Sequence, residues 1–144
     1  MAAIQDVLGS LINILGADST IAALVGAQPN DRIYGLELDV DEASNMPRKS
    51  LMLNLAGGVG RDDYADYSVN RVDVFAYGET GFEANKLHRT TAAVLKNIQR
   101  ETSSSVLVHR CSLESGGVFL RDPDTDWALI ISTWSVLFGD GTTA

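Results

Sequence analysis

From Thr125 to Phe138 the chain reads as one long β-strand that is apolar on both of its faces. Trp127, Leu129 and Ile131 point one way, and Ala128, Ile130, Trp134, Val136 and Phe138 mostly point the other. A strand of this kind cannot lie with one side in water. At roughly 25 cal/mol per Å² of apolar surface, leaving either side wet forgoes several kcal/mol of burial. Helices can cover one side. The second needs either the subunit's own loops or the surface of another subunit, and both readings stand at this point.

The remaining elements follow from periodicity. Residues 2–15 carry Ile4, Val7, Leu8, Leu11, Ile12, Ile14 and Leu15 at spacings of three and four, the stripe of an amphipathic helix, with Gly16 placed as its C-cap. Asp18, Ser19 or Thr20 can cap a short second helix over Ile21–Val25, which Gly26 stops. A short β segment is expected over Arg32–Leu38, and strands over Lys49–Ala56 and Tyr67–Tyr77. The strongest helix runs from Phe82 to Arg100 behind Thr80, with Phe82, Leu87, Thr91, Val94, Leu95 and Ile98 near one stripe. Val106–Leu113 is a strand, Val118–Leu120 a short segment between turns, and residues 139–144 a flexible tail. The order favours a single α+β domain over 1–144, with a mainly antiparallel β-sheet and two or three helices packed on one face.

Composition excludes several classes. The chain has 144 residues, 45% of them hydrophobic, which suits one folded domain rather than a disordered chain. Eleven Lys and Arg against nineteen Asp and Glu leave a formal charge of −8, so tight binding of a phosphate backbone is not expected. Cys111 is the single cysteine and cannot form an intrachain disulfide. The first residues, interrupted by Asp6, Gly9, Ser10 and Asn13, do not read as a signal peptide, and no apolar run is long enough for a membrane span. The expectation is a soluble cytoplasmic protein, or one assembled in a cytoplasm.

No motif carries chemistry. Asp122, Asp124 and Asp126 alternate as in a calcium loop, but Trp127 and Thr133 occupy the glycine and glutamate positions, so a turn is the better reading. Asp62, Asp63 and Asp66 cluster without a second acidic group to complete a shell. Gly57–Gly60 lacks the lysine and helix of a phosphate loop. His109 and Cys111 lie two apart on a strand, about 7 Å at the backbone, a poor spacing for proton transfer. His88 has no second ligand at metal spacing. Neither an enzyme nor a cofactor or metal site is expected.

The segment Ile21-Ala22-Ala23-Leu24-Val25-Gly26 is followed by Asp31-Arg32-Ile33-Tyr34. Then come the strand Val69–Ala76, the helix beginning Glu83-Ala84-Asn85-Lys86-Leu87-His88, and the closing strand from Asp124 to Phe138. In order and spacing, this arrangement over most of the chain resembles the tail terminator or tail completion proteins of long-tailed bacteriophages. The resemblance implies a structural subunit of a homo-oligomeric, hexameric ring in the virion, at the head-proximal end of the tail tube. Such a ring ends tube polymerisation and joins the tail to a neck or head-completion protein, while DNA passes through its lumen unread, with no membrane and no cofactor involved. Another neck or head–tail connector component is the near alternative, and a small acidic enzyme or ligand-binding domain the distant one. Under the ring reading, Trp127, Trp134, Val136 and Phe138 are the subunit-interface candidates. Asp62, Asp63 and Asp66, with Asp39, Asp41 and Glu42, are the candidates for loops that contact the tube or line the lumen.

Overall fold

The N-terminal apolar stripe winds into helix α1, Val7–Ala17, which buries Val7, Leu8, Leu11 and Leu15. The computed structural model describes residues 7–28, 31–36, 48–56, 67–103, 106–123 and 125–140. Gly16 lies within the last turn of α1 rather than after it, and a Cβ there would stand 2.6 Å from both Asp31 Oδ2 and Gln28 Nε2. Its role is close packing, not capping.

Helix α2, Ser19–Val25, starts where its side-chain chemistry demands. Asp18 Oδ1 accepts the amide hydrogens of Thr20 at 2.9 Å and Ile21 at 3.2 Å, and also the Thr20 hydroxyl. Gly26, at φ 96°, ends the helix with a conformation that side chains resist. The Thr20 hydroxyl holds the Asp18 carboxyl below its ordinary range, against the opposing effect of burial and with lesser help from the amides of Ile21 and Thr20. A lowered folded pKa means that the cap stabilises fully above the ordinary carboxylate range and is lost as pH falls through the folded value. Asp18→Ala is therefore expected to cost about 1 kcal/mol at neutral pH. Asp18→Asn should retain most of that while flattening the acid limb, as read by urea midpoints at neutral and acid pH.

Helix α3, Gly81–Lys96, is capped by Thr80, whose Oγ1 accepts the Glu83 amide at 3.3 Å. Glu83 reaches back to accept the Glu79 amide at 3.0 Å, so both ends of this small box are satisfied. The helix ends earlier than its pattern suggests. The amides of Asn97 and Ile98 fold back onto Val94 O and Leu95 O, and Arg100 takes a positive φ of 54°. That turn feeds strand β4, Glu101–Ser103, an element the serine run had concealed.

The other strands are β1 (Ile33–Gly35), β2 (Ser50–Leu55), β3 (Tyr67–Gly78), β5 (Val106–Arg121) and β6 (Ala128–Asp140). Among the described residues they form a six-stranded sheet in the order β1-β2-β3-β6-β5-β4, in which only the β1–β2 pairing is parallel. The fold is α+β, with the helices packed on one face of this sheet. No single described helix is long and apolar enough to cross a membrane.

The strand boundaries depart from the sequence reading chiefly in β5 and β6, and β6 begins at Ala128 rather than at the expected Thr125, which leaves Trp127 just before it. Strand β5 does not stop at Leu113 but continues to Arg121, and the turn expected at residues 114–117 is absorbed as irregular register between Leu113 and Val118. Gly116 and Gly117 permit this, since glycine accommodates the unpaired residues of a bulge. At the C-terminus, β6 runs through Gly139 and Asp140, paired with Leu107 and Val106. The tail expected from residue 139 is thus strand at its start, and residues 141–144 lie outside the described residues. The β5–β6 connection is a turn, as its composition suggests. Asp122 Oδ1 accepts the Thr125 amide at 3.2 Å, and Asp126 stands at φ 59°.

Candidate functional site

Alternation along β6 decides which candidate residues are accessible. The side chains of Ile130, Ser132, Trp134, Val136 and Phe138 are buried beneath the helices together with Val72, Val74 and Leu53. Trp134 is 1% exposed, and its Nε1–H donates to Ser132 Oγ at 2.9 Å inside this core. Trp134, Val136 and Phe138 are therefore core residues of the subunit and not an accessible interface. The sequence shows that both sides of the strand need cover; it does not show which side the helices take. Trp127 alone of the four lies on the other side, where its ring meets Tyr77 edge-on at a centroid distance of 6.2 Å. Burial, and then the nearby Asp122, push the Tyr77 phenol up from its ordinary pKa.

Register builds the second face of the sheet. Tyr34 pairs with Met52, Met52 with Phe75, Phe75 with Ile131, and Ile131 with Val118. Paired residues share a face, so these five side chains form one apolar row across β1, β2, β3, β6 and β5. Beside it runs Tyr77, Leu129 and Leu120. Toward the opposite end the same face turns polar. Thr133 Oγ1 donates to Asp73 Oδ1 at 2.6 Å, and Arg71 Nε lies 2.9 Å from Glu114 Oε2.

The outer edge of the sheet is a second accessible feature. Strand β4 covers β5 only over Val106–Val108, so among the described residues β5 is the edge strand from Arg110 onward. Val118, Phe119 and Leu120 are each about half exposed on it. On the helix side, Phe119 lies against Gly81, where an added Cβ would come within 3.0 Å of its ring, and the Arg121 guanidinium sits 5.9 Å from the ring centroid. A shallow cleft of about 600 Å³ opens here between Thr80, Phe82, Asn85, Phe119 and Ile130. Phe82 is 89% exposed, against the expectation that it joins the buried stripe of the long helix. The stripe that is buried runs Ala84, Leu87, Thr91 and Leu95 at spacings of three and four, and Phe82, five residues before Leu87, falls outside it.

The other residues weighed for chemistry are dispersed. Cys111 is buried on the helix side, and desolvation, then Glu101, push its thiol up to about 12, the opposite of an activated nucleophile. The register shift between Val108 and Arg110 takes His109 out of regular alternation with it. His88 is half-buried against Gly117, and burial with Lys96 lowers its pKa. A groove of about 700 Å³ along α3 mixes Lys86 and Arg89 with Asp18 and Glu101, leaving no field of one sign. Among the described residues no group of three or more His, Cys, Asp or Glu is placed to hold a metal. Asp39, Asp41, Glu42, Asp62, Asp63 and Asp66 lie outside the described residues.

The fold has a solved counterpart. The chain is similar to a protein chain in the virion of a native gene transfer agent particle, with a TM-score of 0.67, over 92% of this chain and 94% of that one. Sequence identity is 14%, so the likeness is one of fold. No protein-family model matches the chain, and no curated protein does. The likeness of fold thus extends over nearly the whole of both compared chains.

Proposed function

We propose that this chain is a structural subunit of a phage-like virion. The observation that carries the reading is the match of nearly the whole fold to a chain of a gene transfer agent virion. More specifically, we propose the tail-terminator role: a ring, hexameric by resemblance, at the head-proximal end of the tail tube. It stops tube growth, meets a neck protein on its other side, and lets DNA pass. The formal charge of −8 per subunit supports this, because a strongly negative ring repels the phosphate backbone and leaves the lumen unobstructed. The acidic residues Asp62, Asp63 and Asp66, and Asp39, Asp41 and Glu42, are the proposed contacts with tube or lumen. A neck or head–tail connector subunit is the second reading, since the matched chain is known by its particle and not by its place within it.

Electron microscopy of particles carrying an epitope-tagged copy tests both. A ring at the tube end, with tubes of uncontrolled length when the protein is withheld, supports the terminator role. Label at the portal with normal tube length favours the connector. Particles that lack the protein and assemble normally would overturn the structural reading.

A further inference from the structure

We infer that His88 of α3 is an acid-sensitive latch, which holds the last stretch of β5, Val118–Arg121, in place while neutral and releases it on taking up a proton. The inference stands apart from the virion reading and does not depend on it.

Strand β5 can part from its neighbours at one place. Ser115 faces Thr133 and Val118 faces Ile131, so Gly116 and Gly117 together stand against the single residue Ser132. Beyond this bulge β5 is, among the described residues, an edge strand that pairs with β6 on one side. Two contacts with α3 hold it down. The Phe119 ring lies against Gly81, and His88 lies against the bulge itself. A Cβ on Gly117 would stand 2.7 Å from His88 Nε2 and 2.8 Å from Ile130 Cγ2. The imidazole is thus wedged over the weak point of β5, between a glycine backbone and an isoleucine methyl group.

That position suits a neutral ring and not a charged one. From β6 it meets Ile130 beside Ser132, both buried and uncharged. On β5, Ser115, Gly116 and Val118 carry no charge, and Glu114 is engaged with Arg71 on the other face of the sheet. Arg121 lies over the Phe119 ring on the helix side, 3.9 Å from Asp126 in the hairpin turn. On α3 the residues one turn away are Ala84, Asn85, Thr91 and Ala92, none of them charged. Lys86 and Arg89 border the groove they share with Asp18. Lys96 completes the set, and burial followed by this ammonium lowers the His88 pKa. A lowered folded pKa means that the released imidazole binds the proton more tightly than the latched one. The latch is therefore complete above the ordinary imidazole range near about 6.5, and it weakens as pH falls from there toward the folded value.

Hydrogen exchange at about pH 7.5 and about pH 5, corrected for the intrinsic pH dependence of amide exchange, tests the latch. In the wild type, residues 118–121 are expected to lose protection at the acid pH, while Val106–Val108 of the same strand keep theirs. His88→Gln should abolish that difference between the two pH values. Gly117→Ala, whose methyl group displaces the imidazole, should leave residues 118–121 poorly protected at both. In that variant the His88 ring should also titrate nearer its ordinary value by NMR. A loss of protection spread evenly along β5 would mean general acid destabilisation and overturn the latch. Equal protection at both pH values in the wild type, or an undiminished acid effect in His88→Gln, would overturn it as well.

Discussion

Trp134→Ala is expected to destabilise the subunit by about 3–5 kcal/mol, a loss comparable with much of the total stability of a domain. The side chain is 1% exposed and sits opposite Val72 of β3 and Leu113 of β5 at the centre of the sheet. The neighbours belong to paired strands and cannot collapse into the void. The substitution also leaves Ser132 Oγ, 2.9 Å from the indole nitrogen and equally buried, without that donor. Urea denaturation should show a large fall in midpoint with an unchanged slope. Phe119→Asp is the contrast, because a half-exposed side chain on the β5 edge should lower the midpoint far less. If Trp134 acted at a subunit contact and not in the core, Trp134→Ala would keep the monomer's midpoint and change only assembly.

Gly78→Ala should be the most damaging of the single-methyl additions. A Cβ at Gly78 would stand 2.6 Å from the Ala84 amide nitrogen and 2.9 Å from Glu83 Cβ, in the first turn of α3. That turn is held by the Thr80 cap and by the Glu83 bond to Glu79, so it cannot move aside without breaking both. The methyl group must therefore push helix from strand, at about 1–3 kcal/mol for overpacking of this kind. Gly116→Ala is the control. Nothing lies within 4 Å of a Cβ at that position, and its urea midpoint should match that of the parent. Equal midpoints for the two variants would show that the end of β3 and the start of α3 are not in close contact.

Local chemistry was legible wherever it is self-contained. Asp18 and Thr80 cap their helices because a carboxylate or hydroxyl there satisfies free amides within its own turn, and no distant residue is needed. The turn at Asp122–Asp126 follows from its own proline and aspartates in the same way. The strand alternation of Leu51 and Leu53, and of Val72, Val74 and Ala76, was visible for the same reason. The candidate site was legible only in part. Trp127 and the second apolar face of β6 were anticipated, whereas the continuous β5 edge and the exposed Phe82 were not.

By itself, then, the sequence determined the α+β class, the N-terminal caps of α2 and α3, the doubly apolar closing strand and the strong negative charge. Only the tertiary structure decided that the helices take the Trp134 side of β6, that β5 runs on through Gly116 and Gly117, and that β4 leaves most of its edge uncovered. Hydrogen bonds to a neighbouring turn are local and directional, so they can be read in order along the chain. Hydrophobic burial has no direction, so a pattern of apolar residues says that a surface is covered without saying what covers it.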